Sequence, residues 1–355
     1  MAHNLHFDEN TGKHSFFSVK EKAWHGLGQI LDEHPTSEQA IKQAGLDYEV
    51  VKAPLFIYTD SVRIETDGDL ITQWETPVHG FFATKRMDTG APLGVVGKDY
   101  QIVQNRDAFS FFDSIAGCGE ILYETAGALG DGERIFITAK LPGYIRVGDD
   151  DLIEKYLFLT NSHDGSGSIT AAFTPIRVVC QNTLNAAMRN LSNVVRIRHT
   201  ANAKLRLQQA HKVMGIANQV SAELEPVFNA WAKVRITDGE LKKLIEMAMA
   251  PNREVLGKLK DSRLEELSSH YTNMVESVYE YALSSPTQNM QTTAGTVFGA
   301  YNAVTGYFQN VRSYKDEEAK VKSTLLGGTA QLRGQTAFNL CEDFTRYGAD
   351  IFNMN

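Results

Sequence analysis

The sequence predicts an α+β protein: a curved, largely antiparallel sheet with helices packed on it, followed by a mostly helical C-terminal region. Three observations lead there. Between residues 81 and 180, short β-branched and aromatic runs are separated by turn signals rich in Asp and Gly. One helical pattern interrupts those runs, and beyond Val195 strand signals give way to apolar residues at helical spacing. The chain has 355 residues, 43% hydrophobic and 22% charged, which is enough apolar content for a substantial core and excludes a disordered or fibrous protein.

Residues 1–80 read as a small mixed region. TSEQAIKQA at 36–44 offers Thr36 or Ser37 as the N-cap of a short helix, since a side-chain oxygen there can accept a free backbone N–H. VRIETDGDLITQW alternates around Asp67-Gly68 in the manner of a hairpin. Residues 81–200 form the predicted α+β core. FFATKR and LGVVG flank Asp88-Thr89-Gly90, NRDAFSFFDSIAG reads as a helix ending at Gly117, and ILYETAGAL and RIFITAKL flank Gly130-Asp131-Gly132. KYLFLTN and SITAAF then flank His163-Asp164-Gly165, and RVVC runs into a helix opening near Asn182 or Thr183. Residues 201–355 form the helical region. A long helix is expected at about 201–224, ended or kinked by Pro226, with others over 238–250, 253–283, 293–312 and 316–348, the last interrupted near Gly327-Gly328.

Charge adds a second line of argument. The formal net charge of −8 speaks against a polyanionic partner, but the average hides an asymmetry. From Gly165 to Ala222 there is no Asp or Glu, while Arg177, Arg189, Arg196, Arg198, Lys204, Arg206 and Lys212 make that segment +7, which leaves −15 on the remainder. A solvated helix face with acidic partners elsewhere in the fold accounts for such a run. So does a surface that neutralises phosphates. The polar triplet Gln181-Asn182-Thr183 fits both: Asn182 or Thr183 can cap the following helix, and a helix N-terminus beside Arg177 is also an anion site.

WHGLG at 24–28, ATKRMDTGAPLGVVGKDYQIVQNRDAF at 83–109, LTNSHDGSGSI at 159–169, RVVCQNTLNAA at 177–187 and YNAVTGYF at 301–308 occur in order. Together they resemble the phage/plasmid-like family, a domain of unknown function. The resemblance spans nearly the whole chain and implies a protein of phages, prophages or plasmids without an agreed catalytic site. More distantly, the element order across 105–190 is similar to the core of Red-beta and Erf-type single-strand annealing proteins, in which a curved sheet and its helix frame a basic groove for DNA. That similarity implies single-stranded DNA tracking the +7 segment, with Tyr156, Phe158 and Phe173 as stacking candidates that would otherwise pack inward. It also implies a homo-oligomer built head to tail. TVFGAYNAVTGYF at 296–308 places Val297, Phe298, Tyr301, Val304, Tyr307 and Phe308 on one helical stripe, for a neighbouring subunit or for the core.

The resulting expectation is a single-stranded-DNA-binding protein of a mobile element, acting in annealing or recombination without a cofactor. Two alternatives stand beside it: a nucleotide- or nucleic-acid-processing enzyme, and a counter-defence interaction protein that uses the acidic surface. The segment Asn161-Ser162-His163-Asp164-Gly165-Ser166 is where an acid–base pair or metal ligand would sit, although Asp-Gly between two β runs is first a turn signal. His3 and His6 lack a third ligand and are expected to be solvated. Cys118, Cys180 and Cys341 are too far apart for a zinc ribbon, and Cys180 has no positioned base that would make it a nucleophile. The glycine clusters complete neither a phosphate loop nor a dinucleotide fingerprint. No apolar run reaches the roughly 20 residues of a membrane span and no signal peptide is apparent, so the cytoplasm is the expected compartment.

Overall fold

The computed structural model describes residues 5–9, 11–20, 27–65, 68–116, 122–177, 182–183, 194–203, 205, 211–315, 319–320, 323–324 and 328–353. Among these, residues 60–74, 114–116, 176–177, 182–183, 194 and 211–220 are described by their backbone alone. The fold is α+β. Its spine is an eight-stranded open sheet that includes β3 (Phe16–Val19), β4 (Gln29–Leu31), β8 (Leu122–Leu129), β9 (Arg134–Val147), β10 (Asp151–Ser162) and β11 (Ile169–Arg177). β12 (Asn182–Thr183) and β13 (Val194–Ile197) complete it, in the order β12-β11-β10-β9-β8-β3-β4 with β13 also on β11. Every pairing in it is antiparallel except β3 with β4. A small hairpin, β1 (Phe7–Asp8) with β2 (Lys13–His14), precedes it.

Alternation sorts the two faces. On β9, Ile135, Ile137, Ala139 and Leu141 are buried on the inner face, while Arg134, Phe136, Thr138 and Lys140 face outward and are half-buried. Register carries this across the sheet, so that Leu157, Leu159 and Asn161 of β10 and Ile169, Ala171 and Phe173 of β11 are also inner. Against that face lie α1 (Ser37–Gln43) and α2 (Asn105–Ala116), whose Ile41, Phe109 and Phe112 join one continuous apolar core. Thr36 caps α1 in a reciprocal box: its Oγ1 accepts from Gln39 N, and the Gln39 side chain accepts from Thr36 N.

A second sheet holds β5 (Val50–Glu65), β6 (Gly68–Arg86) and β7 (Pro92–Gly97). The expected division near residue 80 thus falls inside β6, and β3 and β4 from before it belong to the main sheet. The root of the second sheet sits on the turn between β10 and β11. Thr84 Oγ1 donates to His163 O at 2.7 Å, and a Cβ on Gly94 would lie 2.5 Å from Asp164 Cα. Among the described residues β7 pairs with residues 81–85 of β6 alone, so from Phe56↔Pro77 to Glu65↔Gly68 the described ribbon is two-stranded.

The C-terminal half holds α3 (His211–Trp231), α4 (Asp238–Met249), α5 (Arg253–Lys260), α6 (Ser269–Ser284), α7 (Val297–Gly306) and α8 (Thr329–Tyr347). Two expectations are corrected here. Pro226 neither ends nor breaks α3, because Leu224, Phe228 and Trp231 on either side are buried in the core and that burial offsets the backbone hydrogen bond a proline removes. The helix read over 253–283 is two, α5 and α6, separated by a 3₁₀ turn at Leu264–Glu266, with Ser268 capping the second. Asn182–Thr183 forms a short strand pairing with Ile176–Arg177, and the helix that either residue would cap lies outside the described residues. Of the two places open to the 297–308 stripe, the core is the one it occupies: Val297, Phe298, Tyr301, Val304 and Phe308 are buried, and Phe228, Trp231, Phe298, Tyr301 and Phe338 form one aromatic cluster within the chain. The expected helix at 184–190 and the strand residues 178–180 lie outside the described residues, as do Cys118, Cys180 and His3.

Candidate nucleic-acid interface

Of the predicted basic residues, Arg177, Arg196 and Arg198 are described on β11 or along its far side. β12 pairs with its C-terminal end, Arg177 opposite Asn182 and Ile176 opposite Thr183. β13 pairs with its N-terminal end, Arg196 opposite Thr170 and Ile197 opposite Ile169. Arg177, Asn182, Thr183 and Arg196 therefore share one border of the sheet, spanning about 24 Å at roughly 3.4 Å per residue. Along β13 Ile197 turns into the core and Arg196 is exposed, as is Arg198 one residue past the strand. Arg189, Lys204 and Arg206 lie outside the described residues, and Lys212 is placed in α3 by its backbone.

Register separates the three stacking candidates. Phe173 is on the inner face and fully buried in the core, so no base can stack on it. Tyr156 and Phe158 are on the outer face with Arg196, flanked across the strands by Lys140 and Thr174, and by Thr138 and Ala172, respectively. Both are nonetheless enclosed, at 8% and 2% exposure, and present no open ring. Tyr156 donates to Glu154 Oε2 at 2.5 Å, and Lys140 pairs with the other oxygen of the same carboxylate. Burial, reinforced by Glu154, raises the Tyr156 phenol above its ordinary range.

The second place of interest is the His163 turn, where Gly165 has φ +79°, a conformation that favours glycine. His163 is fully buried. Asn105 Nδ2 donates to Leu46 O at 3.0 Å, so its Oδ1 accepts from His163 Nε2 at 2.9 Å, and His163 Nδ1 is left bare. His199 repeats the pattern: Nδ1 donates to Gln101 O at 3.0 Å, Nε2 has no partner, and the ring stacks on Tyr100 at 4.6 Å. Tyr100 in turn donates to Ser162 O at 2.7 Å. Burial, with His199 nearby, pushes His163 down to about 3, and burial lowers His199 as well. Burial opposes ionisation of Asp164, yet hydrogen bonds from Ser162 and Ser166 hold its carboxyl below the ordinary range. The set locks the turn to the segment between β7 and α2. Within it the His163 ring is closed to solvent.

His6 also departs from expectation. The bridge from Leu5 to Leu129 draws the N-terminal segment onto the sheet, where His6 Nδ1 donates to Gly130 O at 3.0 Å and Nε2 accepts from Arg86 Nη1 at 2.9 Å. Arg86 lies 3.9 Å from the Tyr48 ring centre and pairs with Asp88 through two hydrogen bonds. Neither His6 nor His199 carried a sequence signal, because His6 is 80 residues from Arg86 and 124 from Gly130, and His199 is 98 from Gln101. Among the described residues, no group of three or more His, Cys, Asp or Glu could hold a metal ion.

Fold and border together define an open-sheet α+β protein with arginines along one edge. Residues 92–326 match the family described as Domain of unknown function (DUF932), and the chain belongs to that family. The matched span opens at the first residue of β7 and contains β8 to β13; the β5–β6 ribbon precedes it. No curated protein and no solved structure matches the chain. Among the described residues no helix is long and apolar enough to cross a membrane.

Proposed function

We propose that the protein binds single-stranded nucleic acid along the border formed by β12 and β13, as a DNA-binding protein of a mobile element that serves strand annealing or recombination. The observation that carries this reading is the exposure of Arg196 on the edge strand β13 and of Arg198 just past its end, within a segment that has no acidic residue. Two exposed guanidiniums two residues apart can engage one nucleic-acid backbone together. With no carboxylate of the segment itself to neutralise them, their charge is available to phosphates. Enclosure of Tyr156 and Phe158 makes the contact primarily electrostatic.

Burial of His163 favours binding over a nucleic-acid-processing enzyme, since a general base must reach the proton it abstracts. The test is a titration of labelled single- and double-stranded oligonucleotides by fluorescence anisotropy at increasing salt. Binding at low salt that favours the single strand and weakens steeply with salt is expected. Absence of binding to either oligonucleotide at low salt would overturn the proposal.

A further inference from the structure

The N-terminal segment is tied to the main sheet beside the end of β8. Leu5 bridges to Leu129, His6 N donates to Ala128 O at 3.0 Å, and Ser15 N, just past β2, donates to His6 O at 2.9 Å. Leu5 also joins Phe16, Leu27, Leu129 and Phe136 in a small apolar cluster separate from the main core. Register runs from Phe16 through Gly127 to Phe136, and from there through Thr160 and Thr170 to Arg196. The cluster therefore lies on the outer face that Arg196 shares. Leu5, His6 and the β1–β2 hairpin form a strap on that face, and a two-stranded hairpin is marginal in water on its own.

One ring closes the polar end of the strap. A guanidinium only donates, so His6 Nε2, 2.9 Å from Arg86 Nη1, holds a lone pair, and the ring proton sits on Nδ1, which donates to Gly130 O. The contact exists only with a neutral imidazole. A protonated ring would set one N–H cation against another. Arg86 cannot draw back: it is 3% exposed, Nη1 also donates to Asp131 O at 3.1 Å, Nε and Nη2 hold the Asp88 carboxylate, and the Tyr48 ring lies against it. His6 is the partner that can leave. Burial first and Arg86 second oppose its cation, against Asp131 in the turn after β8 and Asp8 of the hairpin, and together they lower the imidazole from its ordinary 6.5. Glu133 of the same turn accepts from Asp131 N, and the Tyr48 hydroxyl donates to Gly132 O, so both are engaged elsewhere.

We propose that His6 is a proton-sensitive latch: neutral, it clips the N-terminal strap to Arg86, and on protonation it lets go, lifting Leu5 from the Phe16–Phe136 pair on the face that carries Arg196. The latch belongs to the free chain and needs no nucleic acid. Because the closed state lowers the imidazole below 6.5, the strap is closed above that pH and opens as pH falls below it. One proton governs the opening, so the closed state weakens about tenfold per pH unit in that window.

Hydrogen–deuterium exchange of the full chain from about pH 7.5 to about pH 4.5, corrected for intrinsic rates, tests it. The amides of His6 and Ser15, which bond across the strap, should lose protection by about tenfold per unit below pH 6.5 while β10 and β11 stay protected. His6→Gln, whose side-chain oxygen can accept from Arg86 at any pH, should hold the strap closed throughout. His6→Lys, a standing cation, should leave it open at neutral pH with β10 and β11 intact. Strap protection in wild type that does not change with pH overturns the proposal, as does its loss in His6→Gln along with wild type. So does a closed strap in His6→Lys. If acid opens the sheet as well, β10 and β11 report it, and the comparison of wild type with His6→Lys at neutral pH decides.

Discussion

His163 sits where the two sheets meet, fully buried and held neutral. Its folded-state pKa of about 3 lies below the ordinary 6.5, so the stability it contributes is complete above pH 6.5 and is lost as pH falls from there toward 3. Each histidine buried this way adds about 1.4 kcal/mol of lost stability per pH unit in that window. His199 and Asp164 are the charged or titratable neighbours that act on it, and half-buried Glu133, raised by burial, works in the opposite direction. His163→Gln removes one titration from this set. Urea unfolding below pH 6.5 should therefore show a shallower pH dependence for the variant, by about that amount per unit. Parallel profiles would contradict the buried-neutral assignment. Gly94 offers a test of the same junction that does not depend on pH. An alanine Cβ there meets the Asp164 backbone, so Gly94→Ala is expected to cost about 1–3 kcal/mol in chemical denaturation. A variant as stable as wild type would mean that the sheets are not docked at this point.

Among the elements, those bounded by local signals were legible. Asp88-Thr89-Gly90, Gly130-Asp131-Gly132 and His163-Asp164-Gly165 each lie between paired strands, and Thr36 caps its helix as its position predicts. What was not legible depends on partners distant in sequence. Asn182 and Thr183 carry no strand signal of their own, and their pairing comes from the register with Ile176 and Arg177. Pro226 looks like a stop until the burial of Leu224, Phe228 and Trp231 is known. The stripe at 297–308 has the spacing of an interface but packs on α3 and α8 of its own chain. Phe228 touches the rings of Trp231, Phe298, Tyr301 and Phe338, so Phe228→Ala should cost about 3–5 kcal/mol in an unfolding titration. A loss below about 1 kcal/mol would place this cluster outside the cooperative core.

At the scale of the whole molecule, the charge asymmetry was visible in the sequence, while its location on a sheet border needed the β11–β13 register. The ribbon was legible as a hairpin, but its reach beyond β7 was not, because that depends on where the third strand stops. The central claim is that exposed Arg196 of β13 and Arg198 just past it bind nucleic-acid phosphates. Its most direct test is the slope of log affinity against log salt for single-stranded DNA, measured for wild type and for Arg196→Ala/Arg198→Ala. Each lost phosphate contact on a single strand lowers the magnitude of that slope by about 0.7, so the double variant should bind more weakly and with a slope shallower by about 1.4. An unchanged slope in a folded double variant would contradict the claim.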